Sequence, residues 1–197
     1  GRLATAAALT GSLLKGRQRV ALSVEGNGPL GRLQAEADAE GQVRASLKVA
    51  VAGLPPRDGR FDVAGAVGRA GFLHVVKDLG LKEPYRGMVQ LCSSEIAEDV
   101  AYYFTTSEQT PSTVALGAYL EPDGSVSAAG GFMVQAMPGG DESLLTLLEE
   151  RLTALPPTTT LLREGLAPVH ILERIFEGIP FSVQETNHLT FRCHSSR

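Results

Sequence analysis

The chain has no tryptophan, only two cysteines and no surplus of positive charge, and none of its apolar runs reaches the length of a membrane span. Each shortage closes off a class of protein. Cys92 and Cys193 lie far apart and cannot make the dense disulfide framework of a small secreted domain, so a reducing cytoplasm is the simpler setting. With 18 lysines and arginines against 22 aspartates and glutamates, no basic stripe is left to track phosphates, which argues against a nucleic-acid partner. A bilayer span needs about 20 apolar residues. The Ala- and Leu-rich stretch from Leu3 to Leu14 is interrupted by Thr5, Thr10, Gly11 and Ser12, so it lacks the compact apolar centre of a signal peptide and reads as an amphipathic helix. No membrane partner is expected. What remains is ordinary in composition: 197 residues, 43% of them hydrophobic, enough for about one domain with a real core.

The apolar pattern then shifts to period two. Val20, Leu22 and Val24 alternate with polar neighbours, as do Leu33, Ala35 and Ala37, and then Val43, Ala45, Leu47, Val49 and Val51. Turns at Gly26-Asn27-Gly28-Pro29 and Glu40-Gly41 separate the three runs, which predicts an antiparallel meander. A second strand pair is predicted at Phe72 to Lys77 and Tyr85 to Leu91. A helix follows over Ile96 to Thr106, with Ile96, Val100, Tyr103 and Phe104 on one side. Val114 to Leu120 and Val126 to Gln135 form a hairpin around Asp123-Gly124, with Gly130 and Gly131 marking a bulge or close backbone packing. Asp141 and Glu142 open a helix with an apolar stripe at Leu144, Leu145, Leu148 and Leu152. After Pro156-Pro157 the character changes, and Pro168 begins a short amphipathic helix carrying Val169, Leu172, Ile175 and Phe176. The expected organisation is a core over residues 1–155, a helical linker over 156–190 and a stub over 191–197.

Chemistry is sparse. Gly26-Asn27-Gly28-Pro29-Leu30-Gly31 matches a dinucleotide fingerprint, but that motif needs a helix to open there. Pro29 removes a donor, and the following residues alternate as a strand does, so a hairpin turn is the better reading. There is no G-x-S-x-G elbow, and His74, His170, His188 and His194 have no evident serine or aspartate partner. Glu95, Glu98 and Asp99 could form an acid–base pair, but at one end of a helix such residues more often cap and solvate. Cys92 reads as a buried or half-buried thiol, with a reactive thiol as the alternative. Cys193, in Phe191-Arg192-Cys193-His194-Ser195, is a single thiolate where a structural zinc wants four ligands. No catalytic constellation is seen, and the chain is not expected to be an enzyme.

The order of local patterns carries more information than any single residue. Lys82-Glu83-Pro84-Tyr85-Arg86-Gly87, Tyr103-Phe104, Ser107-Glu108-Gln109-Thr110-Pro111, Ala128-Ala129-Gly130-Gly131-Phe132, Gln135-Ala136-Met137-Pro138 and Phe191-Arg192-Cys193 follow one another in that order, after Gly26 to Gly31 and Val43-Arg44. In this the chain resembles the heat shock protein 33 family of redox-regulated chaperones over nearly its whole length. The resemblance implies an α/β fold of the α+β type, with antiparallel-rich sheets packed with helices in one core domain. A helical linker and a small zinc module would follow. It also implies an ATP-independent holdase that binds unfolding client proteins on apolar surface in the cytoplasm, and a homodimer is one possible assembly.

In that family four cysteines, a Cys-x-Cys and a later Cys-x-x-Cys, bind zinc when reduced and form disulfides when oxidised. Cys193 matches the first of them, position 195 is serine, and no Cys-x-x-Cys follows before Arg197. The expectation is a holding core whose zinc switch is incomplete, with Cys193 as the one matching metal position and no zinc held by this sequence alone. A fragment, an engineered core and a degenerate member are all compatible with that pattern. A leading segment missing before Gly1 would leave an open sheet edge and favour dimerisation. The competing expectation is a dimeric structural module that keeps the fold without binding clients.

Overall fold

The computed structural model describes residues 1–57 and 60–192. The meander forms as the alternation requires: β1 (Arg19–Gly26), β2 (Arg32–Asp38) and β3 (Gln42–Leu47) pair antiparallel in sequence order. β4 (Gly71–Asp78) pairs with the other side of β1, and β5 (Tyr85–Gln90) with β4. The two-residue β8 (Thr190–Phe191) lies parallel to β3, which gives the order β5-β4-β1-β2-β3-β8. Val20, Leu22, Val24, Leu33, Ala35, Leu73 and Val75 fill one face of this sheet. Against that face pack α1 (Arg2–Gly11), through Leu3, Ala6 and Ala7, and α3 (Ile96–Ser107), through Ile96, Val100, Tyr103 and Phe104. The mixed, antiparallel-rich α+β architecture is the one expected.

A second, two-stranded sheet is the hairpin of β6 (Ser112–Leu120) and β7 (Val126–Gln135). Beyond it come α4 (Glu142–Ala154), α5 (Thr158–Arg163) and α6 (Pro168–Ile175). Asp141 caps α4 by accepting from the amides of Ser143 and Leu144, and Pro168 occupies the first turn of α6, where its missing N–H costs nothing.

Three details differ from the sequence reading. β3 stops at Leu47 although the alternation runs to Val51, because β2 begins at Arg32 and offers nothing to pair with beyond Lys48, whose amide donates to the Arg32 carbonyl at 2.9 Å. A five-residue helix, α2 (Val63–Val67), was not anticipated; Asp62 caps it by accepting from the Gly65 amide. The hairpin's register shift falls between Tyr119 and Leu120 rather than at Gly130-Gly131. The Gly26–Gly31 segment is the β1–β2 turn. Its Gly28 and Leu30 amides donate to the carbonyls of Val67 and Ala66 at 2.8 and 3.0 Å, which occupies the donors a phosphate would need.

Candidate functional site

The β6–β7 hairpin is apolar on both faces, and this is the feature around which the molecule's surface chemistry turns. Strand geometry sends alternate side chains to opposite sides. Val114, Leu116 and Met133 join the main core under α1 and α3. Ala115, Phe132 and Val134 point the other way, into a separate cluster with Leu148 of α4, Leu161 of α5 and Ile171 and Ile175 of α6. The three short helices therefore lie as a cover over one apolar face of a two-stranded sheet.

Small residues let the cover approach. Gly117 and Gly130 sit directly opposite each other on the covered face. A Cβ at Gly117 would lie 2.9 Å from the Thr159 amide nitrogen, and one at Gly130 would lie 2.8 Å from Leu162 Cδ2. Of the two sequence readings of Gly130-Gly131, close packing is the one realised. Gly117 is the less conspicuous of the pair in the sequence; its signal is a glycine in mid-strand facing a second one across a hairpin. Around this notch the Arg163 guanidinium lies 4.2 Å from the centroid of the Tyr119 ring, and Arg151 of α4 donates to the Ile175 carbonyl at the end of α6. Between α4 and the hairpin an open apolar groove of about 200 Å³ is lined by Pro111, Val134, Leu145, Leu148 and Leu152.

The hairpin's base is fixed by the polar block that ends α3. Glu108 accepts from the Tyr103 hydroxyl at 2.8 Å and pairs with the Lys77 ammonium, both partners being mostly shielded from water. The same ammonium lies 5.4 Å from the Phe104 ring centroid. Burial first, and then the hydrogen bond to Glu108, push the Tyr103 phenol well above its ordinary value. Gly87 makes room for that ring: a Cβ there would come within 2.7 Å of it. Gln109 turns the chain with a positive φ of 53°, and the Pro111 carbonyl accepts from the Ala136 amide at 3.0 Å. The Ser107–Pro111 and Gln135–Pro138 motifs, 24 positions apart at Pro111 and Gln135 in sequence, thus meet at one corner. Their polar groups are structural.

The carboxylates at the start of α3 do not converge. Glu95 pairs with Arg2 at 2.6 Å, Glu98 is exposed, and Asp99 is buried. Asp99 Oδ1 accepts from the amides of Cys92 and Ser93 and from the Cys92 thiol at 3.2 Å. Cys92 is exposed rather than buried or half-buried, because it sits in the turn after β5, with its thiol hydrogen-bonded to Asp99. Desolvation at the sulfur, and then the Asp99 carboxyl, raise the thiol pKa, which opposes a reactive thiolate. Cys193 and Ser195, the positions that matter for zinc, lie outside the described residues. Among the described residues no group of three or more His, Cys, Asp or Glu side chains could hold a metal ion. No described helix is long and apolar enough to cross a membrane.

The profile of one protein family, described as Hsp33 protein, matches residues 1–197. The chain belongs to the Hsp33 family. It is 66% identical over 197 residues to a 33 kDa chaperonin of Syntrophotalea carbinolica, matching 100% of this chain and 68% of that one. It is 53% identical to a 33 kDa chaperonin of Geobacter sulfurreducens, across 100% of this chain and 65% of the relative. The crystal structure of the 33 kDa chaperonin, a heat shock protein 33 homologue, of Thermotoga maritima superposes with a TM-score of 0.91 at 40% identity, covering 100% of this chain and 67% of that chain. The chain thus spans about two thirds of the length of these Hsp33 relatives. The hairpin with its helical cover is part of the architecture this Hsp33 chain shares with a solved structure.

Proposed function

We propose that this chain is the holding core of an ATP-independent cytoplasmic chaperone. Its client surface is the covered face of the β6–β7 hairpin, and α4 to α6 are the movable cover. The observation that carries this reading is the division of apolar burial into two clusters, with the smaller one formed between one hairpin face and three short helices. Lifting the cover exposes Ala115, Phe132 and Val134 together with the inward faces of the helices. This would create contiguous apolar surface of the kind that binds unfolding polypeptide without regard to sequence. In this reading residues 1–155 are the core and 156–190 the linker, whose helices share a cluster with Phe132 and Leu148 from the core side.

No catalysis is proposed: Glu95 pairs with Arg2, Glu108 is taken up by Lys77 and Tyr103, and the carboxylates at the start of α3 do not converge. Nor is any step routed through zinc. Cys193 stands as the one position matching the family's metal and redox cysteines, with serine at 195. Residues 1–197 taken by themselves, with serine at 195, are expected to hold clients in a way indifferent to peroxide and to zinc.

Light scattering from a thermally unfolding enzyme tests the proposal. Added chain at near-stoichiometric ratio, without ATP, should suppress scattering equally in reducing buffer, with peroxide and with chelator. Unchanged scattering would instead favour a dimeric structural module without client binding, and a requirement for oxidant would overturn the switchless reading.

A further inference from the structure

Polar contacts tie the three helices of the cover to one another far more than to the hairpin beneath them. Glu164, at the end of α5, pairs with Arg174 of α6 at 3.4 Å, and Arg151 of α4 donates to the Ile175 carbonyl at the end of α6 at 3.2 Å. Among the described residues no hydrogen bond or ion pair runs from α4, α5 or α6 to β6 or β7. What crosses that boundary is apolar packing and one directional contact, the Arg163 guanidinium over the Tyr119 ring.

The register explains why those two residues meet. Ala115, Gly117 and Tyr119 alternate onto the covered face of β6, where Thr159 lies against Gly117 and Arg163 against Tyr119. Four residues of helix rise about 6 Å, and two residues of strand span about 6.7 Å. One turn of α5 is therefore matched to one repeat of β6. Gly117 lets the first turn come close, and the Tyr119 ring fills the space beneath the last.

That last turn needs support. α5 has six residues, and a helix so short does not persist in water by itself. The fully buried Leu161 anchors its middle. Arg163 is exposed and Tyr119 half-buried, so their contact lies at the rim of the cluster, where lifting of the cover would begin. A guanidinium over an aromatic face is attracted by the ring's quadrupole, an interaction that requires a cation and a ring but no hydroxyl.

We infer that the Arg163–Tyr119 contact is the clasp of the cover. It seats the C-terminal end of α5 on the hairpin and sets how often the hairpin face opens. The clasp rests on the holdase reading above and deepens it by naming the pair that regulates access to the client surface. Arg163 is a positioning residue, acting on that surface through Tyr119.

Four substitutions separate a clasp from general packing. Arg163→Gln and Tyr119→Leu each remove one half of it, whereas Arg163→Lys keeps a cation and Tyr119→Phe keeps a ring. Native-state amide exchange reads the opening, because α5 does not outlast its lifting and the Leu161 amide is then freed. Exchange at Leu161 should be about threefold faster in Arg163→Gln and in Tyr119→Leu. The double variant should be no faster than either single one, since each removes the same interaction. Arg163→Lys and Tyr119→Phe should stay close to the parent chain. The Leu22 and Leu73 amides should keep the parent rate in all variants, which distinguishes lifting of α5 from loosening of the main core. Unchanged exchange in Arg163→Gln, equal acceleration in Arg163→Gln and Arg163→Lys, or multiplied effects in the double variant overturns the clasp. Scattering suppression by Arg163→Gln should rise with the opening. If exchange accelerates as expected while suppression stays at the parent level, the clasp stands and the client-surface reading fails.

Discussion

Two residues show how position decides chemistry at the smallest scale. Cys92 is exposed, which by itself suggests reactivity, but its thiol donates to Asp99 and its pKa is raised by desolvation and by that carboxyl. A group whose folded pKa lies above its unfolded value contributes stability that is fully present below the unfolded pKa. That contribution is lost as pH rises through the folded pKa. For Cys92 the loss thus falls on the alkaline side, and at neutral pH the thiol stays protonated. Iodoacetamide should modify Cys92 more slowly than the thiol of an unstructured peptide in the same buffer. Asp99→Asn should speed the reaction, because asparagine can still accept from the Cys92 and Ser93 amides while removing the opposing charge. Mass spectrometry of timed reactions checks both; equal rates in parent and variant would mean that Asp99 does not govern the thiol. The unpaired, buried Asp99 Oδ2 is where the asparagine nitrogen would sit, so some loss of stability should accompany the change.

Among the elements, α5 depends on the absence of side chains beneath it. At Gly117 the atom in the way of a Cβ is the Thr159 backbone nitrogen, which cannot swing aside; at Gly130 it is the tip of the flexible Leu162 side chain. Gly117→Val should therefore lift α5 off the hairpin, at a cost of about 1–3 kcal/mol for overpacking, while Gly130→Ala is absorbed by a rotation of Leu162. Binding of an apolar dye and limited proteolysis over residues 156–178 report the lift. Both should rise in Gly117→Val and stay near parent values in Gly130→Ala. If Gly117→Val behaves as the parent does, the glycine pair is not what seats the helix. The α4 cap is a milder device. Hydrogen bonds from the Ser143 hydroxyl and from the Ser143 and Leu144 amides hold the Asp141 pKa below the usual carboxylate value, so its contribution persists at neutral pH and fades only in acid.

At the level of the whole molecule, two clusters of unequal size share the hairpin as a wall. The main one draws on α1, α2, α3 and on strands β1 to β7, whereas the other has Phe132, Leu148, Leu161, Ile171 and Ile175 as its buried members. Less buried apolar area means a smaller free energy of local opening. Native-state hydrogen exchange should find the Leu161, Ile171 and Ile175 amides opening well before those of Leu22, Val24 and Leu73. Equal protection throughout would mean a single cooperative unit and no separately movable cover.

Much of this was legible in the sequence, for a physical reason. Alternation and helical spacing are local, so the meander, the β4–β5 pair, α3, the hairpin and α6 could be read directly. The ordered motifs likewise pointed to the family. Sequence alone also assigned the Gly26–Gly31 run to a turn, because Pro29 and the strand pattern after it excluded a helix. What sequence could not supply was partnership. That Ser107–Pro111 meets Gln135–Ala136, that Glu108 joins Lys77 and Tyr103, and that Gly117 faces Gly130 under α5 all depend on residues brought together from distant segments. The end of β3 makes the same point from the other side. Its apolar alternation to Val51 was fully visible in the sequence, but only the tertiary structure shows that β2 begins too late to pair with it. A strand needs a neighbour as well as a pattern, and the neighbour is supplied by the fold.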